Sequence, residues 1–325
     1  MKAAWYEGFG PAKEVLSIGD MADPAPAPGE VLVRVKASGI NPSDVKLRSG
    51  ARPGAVMAYP QIIPHSDGAG VIEAVGAGVD AARVGERVWL WNAQWRRAFG
   101  TAAEYCALPS EQAVRLPDAA SFEAGALMGI PGMTAWHAVF ADGPVAGKTI
   151  LVTGGAGAVG RYAIQMATLG GARAIATVSS SAKATHSGAE DWINYRDTDV
   201  AEAVMEMTKG EGVDRIVEVD FGANQAASLD VIKEGGTIAS YASASAMTPT
   251  LQFYGFMFKH VTLRMLIRYL FDDETNRAGE AAIGRWLEDG ALDHAVVSGG
   301  GMDDMASAHE MVEKGEKLGT VVVSL

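Results

Sequence analysis

The sequence is poor in three features that would each point to a particular class of protein. Cysteine occurs once, at Cys106, which excludes internal disulfides and any zinc cluster built from cysteine. No apolar run reaches the ~18 residues that a membrane-spanning helix needs, so we expect no membrane partner. Acidic residues outnumber basic ones by 39 to 27, and the net charge of −12 argues against a nucleic-acid partner. With an N-terminus unlike a signal peptide, these features predict a cytoplasmic location.

A glycine-rich segment lies near the centre of the chain. An apolar, β-branched run at 149–153 precedes the pattern G-x-G-x-x-G at 155–160, residues at helical spacing follow it, and a second apolar run at 174–178 completes a β-α-β unit. Glycine in this context allows a tight turn, close approach of backbone N–H groups to a pyrophosphate, and close packing of helix on strand. The alternative is a glycine-rich connector without a ligand. The predicted cofactor-binding residues of this segment are Gly155, Gly157, Ala158, Val159 and Gly160.

The order of strands and helices predicts two domains. Up to about residue 120, short alternating strands are separated by Gly and Pro, which is typical of a compact β-barrel. From 149 to 240 strands alternate with helices, which is the pattern of a doubly wound parallel sheet. An apolar segment at 261–266 would add a further strand, and the chain would end with helices and a strand.

The second strand of the β-α-β unit ends without an acidic residue. An NAD site usually has Asp or Glu there to hold the ribose 2′-hydroxyl. This chain instead has three serines and Lys183 after Val178. Hydroxyl donors and a positive charge suit a 2′-phosphate, so we expect NADPH. The alternative interpretation is a serine-rich cap on a surface helix.

Short motifs along nearly the whole chain carry a family resemblance. They are 39–44 (GINPSD), 48–50 (RSG), 66–76 (SDGAGVIEAVG), 85–88 (GERV), 103–105 (AEY), 129–131 (GIP), 193–196 (INYR) and 308–310 (AHE). With the glycine motif, they resemble the zinc-independent, zeta-crystallin-like quinone oxidoreductases of the medium-chain dehydrogenase/reductase superfamily. The resemblance implies an α/β protein. A GroES-like β-barrel catalytic domain at 1–122 and 269–325 would be interrupted by a Rossmann NADPH-binding domain, a doubly wound parallel sheet, at 123–268.

The resemblance also leads us to expect no metal. Asn41 stands where zinc-dependent relatives have a cysteine, Ser66 where they have a histidine, and Ile130 near their second cysteine. Neither asparagine nor isoleucine supplies a soft ligand for zinc. His65 lies one place from the ligand position, and we expect it to be a packed or hydrogen-bonded loop histidine, with a metal role as the alternative.

The residues expected at the reacting centre are implied by the resemblance. Asn41 would donate from its amide to a substrate carbonyl oxygen as that oxygen gains negative charge. Thr134 would anchor the cofactor. Asp44 would orient a neighbouring group, and a helix-capping role is an equal alternative. Asp67, where zinc relatives have a glutamate, has the same two interpretations.

Further cofactor contacts are expected at the ends of strands. The resemblance implies that Ser179, Lys183 and Tyr195 hold the 2′-phosphate end of NADPH. Tyr241 follows a strand and would face the nicotinamide, because ligands lie beyond the carboxyl ends of parallel strands. The chain departs from the family at 183–189, which is about one helical turn shorter. It departs again at Lys46, where many relatives have a tyrosine, so the proton would come from solvent.

The expected activity is transfer of a hydride from NADPH to a quinone or a related α,β-unsaturated carbonyl. Aromatic side chains at 89–95 and 253–257 would form a wall for a flat substrate, although each alone is better explained by a core or dimer contact. One alternative is a reductase of the C=C bond of 2-alkenals or enoyl thioesters, with Tyr59 as the nearest candidate acid. Another is a non-catalytic, crystallin-like NADPH-binding protein. The family further implies a homodimer, with 261–266 as the candidate edge strand.

Overall fold

The computed structural model describes residues 1–51 and 54–325, which form two compact units. The first unit comprises Met1–Ile130 and Glu280–Leu325, and the second comprises Pro131–Gly279. The domain boundaries predicted from the sequence, 1–122 with 269–325 and 123–268, stay a prediction. Within the described ranges, the helices are all too short or too polar to cross a membrane.

Fifteen strands and eleven α-helices are described. The strands are β1 (Lys2–Trp5), β2 (Ser17–Asp20), β3 (Glu30–Ile40), β4 (Asp67–Val75), β5 (Arg87–Leu90), β6 (Tyr105–Pro109), β7 (Ala113–Arg115), β8 (Thr149–Val152), β9 (Arg173–Val178), β10 (Asp191–Asn194), β11 (Val213–Glu218), β12 (Ile232–Ser240), β13 (Thr262–Met265), β14 (Val296–Ser298) and β15 (Thr320–Ser324). The helices are α1 (Ala12–Val15), α2 (Pro42–Ser49), α3 (Phe122–Gly125), α4 (Met133–Phe140), α5 (Ala158–Leu169), α6 (Ser181–Ser187), α7 (Val200–Met207), α8 (Phe221–Val231), α9 (Phe253–Phe258), α10 (Asp273–Glu288) and α11 (Met305–Lys314).

The first unit is built around the long strand β3. Alternate residues of β3 are buried, as the apolar alternation of its sequence predicts. It pairs antiparallel with β4, β6 and β15, within a seven-stranded sheet of order β14-β15-β3-β4-β5-β7 in which β6 joins β3. The last strand of the chain therefore completes a sheet that begins about 30 residues from the N-terminus.

The second unit is a six-stranded parallel sheet in the order β10-β9-β8-β11-β12-β13. Counted from the first strand of this unit the order is 3-2-1-4-5-6, the order of a dinucleotide-binding sheet. It reverses between β8 and β11, so a ligand crevice is expected beyond their carboxyl ends. The predicted parallel sheet is confirmed, because buried β-branched strands alternate with amphipathic helices as the sequence indicates.

The helix within residues 131–140 begins with an irregular turn. A π-helical turn spans Met128–Gly132 and contains Pro131, and the regular helix α4 begins only at Met133. Proline lacks the N–H that would continue the α-helical ladder, which accounts for the irregular turn. Thr134 consequently lies in the first turn of α4.

Candidate active site

The glycine turn of the second unit has room only for glycine at two of its positions. A Cβ on Gly160 would lie 2.4 Å from the carbonyl oxygen of Gly154, and one on Gly155 would lie 2.8 Å from the Cβ of Ala176. The helix α5 begins directly after Gly157, so its first-turn N–H groups lack acceptors within the helix. Such a helix start, approached by bare backbone, fits the pyrophosphate of a dinucleotide.

The residues predicted for the 2′-phosphate lie at one end of this sheet. Val178 and Asn194 are partners in the β9–β10 ladder, and Ser179 and Tyr195 directly follow them. The backbone N–H of Tyr195 donates to the carbonyl oxygen of Val178 at 3.1 Å. Ser179 is buried and Tyr195 is half exposed. The phosphate-binding role of these residues stays a prediction.

Lys183 lies in the first turn of α6, close in sequence to the same strand end. The hydroxyl of Ser180 caps this helix by accepting from the backbone N–H of Lys183 at 3.3 Å. The serine-rich cap that we considered as the alternative to a phosphate site is therefore present. This cap uses only the hydroxyl of Ser180. The binding of a phosphate by Ser179 and Lys183 stays a prediction.

A buried carboxylate that we did not single out from the sequence lies at the switch point. Glu218 ends β11, and its Oε1 accepts from the hydroxyl of Thr153 at 3.0 Å, the N–H of Asp220 at 2.6 Å and the amide of Asn224 at 2.8 Å. Burial raises the pKa of Glu218, against these bonds. Glu218 joins the carboxyl ends of β8 and β11. The sequence signal that would have identified it is an acidic residue at the end of a buried strand.

Two further predicted residues of the second unit are placed by α4 and β12. Thr134 is buried in the first turn of α4. Tyr241 directly follows β12, and its backbone N–H donates to the carbonyl oxygen of Glu218 at 3.1 Å. Burial, and secondarily the nearby Glu218, raises the pKa of Tyr241, so its hydroxyl is protonated at neutral pH.

In the first unit, Asn41 and Asp67 form a buried pair. Asn41 Nδ2 donates to Asp67 Oδ2 at 2.8 Å, and the same oxygen accepts from the backbone N–H of Ile130 at 2.8 Å. A Cβ on Gly129 would lie 2.1 Å from Asp67 Oδ1, so the backbone passes close to the other carboxylate oxygen. Asp67 therefore fixes the plane of the Asn41 amide.

Asp44 acts on the backbone of the same residue. Its Oδ2 accepts from the N–H of Asn41 at 2.7 Å, at the third position of α2, which begins at Pro42. This is the capping role considered above, and it also orients Asn41. Whether Asp44 has a catalytic role beyond this stays a prediction.

The neighbouring candidates of the first unit have other contacts. His65 is fully buried and hydrogen-bonded to Ser38 and His309, as expected of a packed loop histidine. Lys46 is exposed, and the hydroxyl of Tyr59 donates to the carbonyl oxygen of Arg96 at 2.5 Å. Within residues 1–51 and 54–325, no three His, Cys, Asp or Glu side chains converge as metal ligands.

Two residues of the predicted aromatic wall lie in the core, which is the alternative given above for each of them taken alone. Trp89 is fully buried in β5, and Phe256 packs on Phe221 in the core of the second unit with ring centroids 6.1 Å apart. Phe253 and Tyr254 are exposed on α9. Aromatic residues close together in sequence therefore separate into core and surface, because successive side chains of a strand or helix face different directions.

Comparison with known proteins agrees with this geometry. Residues 27–118 match the family described as alcohol dehydrogenase GroES-like domain, and residues 158–283 match the family described as zinc-binding dehydrogenase. A human quinone oxidoreductase is 30% identical over 95% of this chain and 93% of its own length. One from Pseudomonas aeruginosa is 35% identical over 71% of this chain and 70% of its own. A mycobacterial structure complexed with NADPH is 31% identical and covers both chains completely, with a TM-score of 0.86.

The fold and the glycine turn thus define a medium-chain dehydrogenase/reductase. Within that class the chain belongs to the quinone oxidoreductase family. This confirms the family expected from the sequence motifs. It also confirms the expected fold class, a GroES-like β unit together with a Rossmann unit.

Proposed function

We propose that this protein is an NADPH-dependent, zinc-independent reductase that transfers a hydride to a quinone or a related α,β-unsaturated carbonyl. The observation that carries the proposal is the turn between β8 and α5, where a Cβ on Gly160 would meet the Gly154 carbonyl at 2.4 Å. The NADPH complex of the mycobacterial relative and the names of the quinone oxidoreductase relatives support the choice of cofactor and substrate.

We propose that the second unit binds NADPH through three groups of residues. The N-terminus of α5, including Ala158 and Val159, would hold the pyrophosphate. Ser179, Lys183 and Tyr195 would hold the 2′-phosphate, with hydroxyl donors and one cation in place of the acid that selects NAD. Thr134 and Tyr241 would position the nicotinamide end.

When bound, NADPH supplies the hydride, and we propose that Asn41 polarises the acceptor. The Asn41 amide nitrogen carries two hydrogens, one of which is donated to Asp67. The second would be donated to the substrate's carbonyl oxygen as that oxygen gains negative charge. Asp67 and Asp44 hold Asn41 through its side chain and its backbone, so its orientation is set before substrate binds.

Reduction of a quinone to a hydroquinone also requires a proton. We propose that solvent supplies it, because Lys46 is exposed and the Tyr59 hydroxyl already donates to a backbone carbonyl. That use of its proton makes Tyr59 a poor acid for the alternative, reduction of an enoyl C=C bond.

The decisive experiment is an assay of NADPH oxidation in EDTA-treated, metal-free buffer. Small quinones, enones and an enoyl thioester serve as acceptors, and NADH is compared in parallel. We expect turnover with a quinone and a strong preference for NADPH. Turnover with enoyl thioesters alone would show that the substrate is a C=C bond and not a quinone. Zinc-restored activity would refute zinc independence, and NADPH binding without turnover would favour the crystallin-like alternative.

We also propose a homodimer formed through β13, which is an edge strand of the six-stranded sheet. Large apolar side chains lie exposed around this edge, which is unusual on a surface that stays in water. A second copy of the chain would pair its own β13 there and continue the sheet across a two-fold axis. The exposed residues are Tyr254, Phe258, Met265, Ile267 and Leu270.

We propose a cytoplasmic location, which suits the state of Cys106. The thiol is buried in β6, and burial raises its pKa to about 11. It is therefore protonated and unreactive at neutral pH, as expected of a structural cysteine in a reducing compartment.

A further inference from the structure

His65 occupies a backbone conformation that favours glycine, although its side chain is completely buried. Its φ angle is 78°, in the left-handed region that non-glycine residues rarely adopt. The ring is bonded on both sides: Nδ1 lies 2.8 Å from Ser38 Oγ, and Nε2 lies 2.9 Å from His309 Nε2. A side chain retained at such a position, with both nitrogens bonded, indicates that the side chain has a use there.

The bonds of His65 continue to the residue that orients Asn41. Ser38 Oγ lies 2.8 Å from Thr101 Oγ1, and Thr101 Oγ1 donates to the backbone carbonyl oxygen of Asp67 at 2.5 Å. All five residues of this relay are buried in the first unit. The relay runs from His309 on α11, through His65, Ser38 and Thr101, to Asp67 at the start of β4.

Counting hydrogens gives the relay a single direction. A carbonyl oxygen only accepts, so the one hydroxyl hydrogen of Thr101 is used at Asp67. Ser38 must then donate to Thr101, and because its only hydrogen is used there, it must accept from His65 Nδ1–H. A neutral His65 therefore has a bare Nε2, which must accept from His309 Nε2–H.

The burial of both rings agrees with this neutral arrangement. Burial, and secondarily the facing His309, holds the pKa of His65 well below its ordinary value. Burial, and secondarily the guanidinium of Arg48, lowers the pKa of His309 to about 3. Arg48 is itself paired with Glu313 of α11. Both rings are thus neutral at neutral pH, which is the state that the hydrogen count assumes for His65.

We propose that His65 and His309 are positioning residues that set the direction of Asp67, and through it of Asn41, by a one-way hydrogen-bond relay. Each donor in the relay has one acceptor, so the Asp67 peptide is held in one orientation. The close approach of Gly129 to Asp67 Oδ1 then leaves the carboxylate little room to turn away from Asn41. The catalytic consequence rests on the proposed role of Asn41, whereas the tautomers follow from the hydrogen-bond geometry together with the neutrality of the two buried rings.

The catalytic consequence is tested with His65→Gly and His309→Leu, which break the relay. We expect kcat to fall about tenfold, the effect of losing one well-oriented hydrogen bond. The Kd for NADPH and the KM for the quinone should stay unchanged at temperatures well below each variant's Tm. A structural defect alone would lower Tm and NADPH binding without this selective loss of kcat.

If a disruptive variant fails to fold, conservative variants can still test the proposal. His309→Gln retains a donor at Nε2, and His65→Asn retains a donor to Ser38 while tolerating a positive φ. Both should retain more kcat than the variants that remove the bonds. His260→Gly is the matched control, since His260 is an exposed histidine with φ 51° in the other unit. Wild-type kcat in folded His65→Gly and His309→Leu would refute the positioning role.

A second measurement tests the direction of the hydrogen bonds in the relay and does not depend on enzyme activity. Nitrogen-15 labelling of the six histidines, with NMR detection of their ring nitrogens, reports each tautomer in the full-length protein. We expect Nδ1–H on His65 and Nε2–H on His309, assigned by the signals lost in each variant. The opposite tautomer on either ring, or a protonated ring at pH 7, would overturn the relay. If the wild-type protein turned over no acceptor, the proposed function would fail while this result still stood.

Discussion

Asp67 is the residue on which the first unit's candidate site depends. Its carboxylate accepts from the Asn41 side chain and from the backbone of Ile130, and its own carbonyl accepts from Thr101. One residue therefore receives bonds from three separate segments of the chain. A change at Asp67 would affect all three, which makes it a poor site for separating catalysis from folding.

Lys183 offers a cleaner test, because its proposed partner is the cofactor. We expect Lys183→Ala to raise the KM for NADPH by about 10- to 100-fold, the range of a lost charge-assisted hydrogen bond. The KM for NADH, which lacks the phosphate, should not change. Steady-state kinetics with both cofactors make the measurement.

The matched control for this substitution is Lys46→Ala, which removes an exposed lysine of the first unit. It should leave the preference for NADPH over NADH intact. Equal effects of Lys183→Ala on the two cofactors would show that the shortened segment 183–189 moves the lysine away from the phosphate.

The sequence predicted single residues better than their partners. Asn41 was identified as the candidate donor, but the bond from the Ile130 N–H to its partner Asp67, 63 positions earlier in the chain, depends on tertiary packing that no local pattern encodes. Glu218 was missed although an acidic residue at the end of a buried strand is a local signal; its bond to Thr153, which directly follows β8, depends on how the two strands pair. For Trp89 both a substrate wall and a core position stayed open, because sequence proximity does not reveal which face of a strand is buried.

At the scale of elements, the junction of β8 and α5 permits a direct comparison of two glycines. A Cβ on Gly160 would lie 2.4 Å from the Gly154 carbonyl oxygen, whereas one on Gly157 would lie 3.3 Å from the same atom. Gly160→Ala should therefore displace the turn, lower Tm and weaken NADPH binding at least tenfold. Calorimetry and fluorescence titration with NADPH would measure both effects.

Gly157→Ala is the matched control, because a shift of a few tenths of an ångström accommodates its Cβ. We expect it to fold like the wild type, so that any loss of NADPH affinity reflects the approach of the pyrophosphate to the backbone and not a displaced turn. If both variants bound NADPH as tightly as the wild type, the turn would not be the pyrophosphate site.

The elements themselves were largely predictable, because their periodicity is local. The parallel strands β8, β9 and β13 fell where apolar β-branched runs indicated, with ends shifted by a residue or two. The strand β2, which pairs with β1, and the short strand β14 were not foreseen, since they have only four and three residues. The π-helical turn before α4 was not foreseen, because a proline in an apolar segment does not reveal which kind of helical turn contains it.

At the scale of the whole molecule, the proposed dimer predicts a specific weak point. Met265, the last residue of β13, is largely exposed, and Met265→Lys would place a charge in the proposed apolar contact. We expect the wild type to be a dimer by light scattering and the variant to dissociate at least tenfold more readily.

Met247→Lys is the matched control, since Met247 is equally exposed in the same unit but lies in the loop after β12. It should remain dimeric. A wild-type protein that is monomeric at micromolar concentration would refute the β13 interface outright.

Stability should depend on pH through His65, His309 and His137, which are held neutral by burial. The pKa of His309 is lowered to about 3, and that of His137, also mainly by burial, to about 4, against an ordinary value of 6.5. At a pH between the lowered pKa of each ring and its ordinary value of 6.5, the unfolded chain binds more protons than the folded one. The stabilisation is therefore complete above about pH 6.5 and is lost progressively as the pH falls below it.

Urea denaturation at pH 7 and pH 5 would measure this loss. We expect the free energy of unfolding to fall by about 1 kcal/mol per pH unit from each ring in that window. The slope should be shallower in His137→Gln, which removes one titrating ring of the second unit. A flat profile from pH 7 to pH 5 would contradict the assignment.

The pairing of β15 with β3 has a consequence for how the protein is made. A ribosome delivers residues in order, yet the central sheet of the first unit needs residues 320–324 beside residues 37–40. Every strand of the second unit has left the ribosome well before that, because its sheet uses only residues 149–265. Domains usually fold in order of synthesis. Here the later-encoded unit is complete first, while the exposed β3 edge of the earlier one waits for the end of the chain.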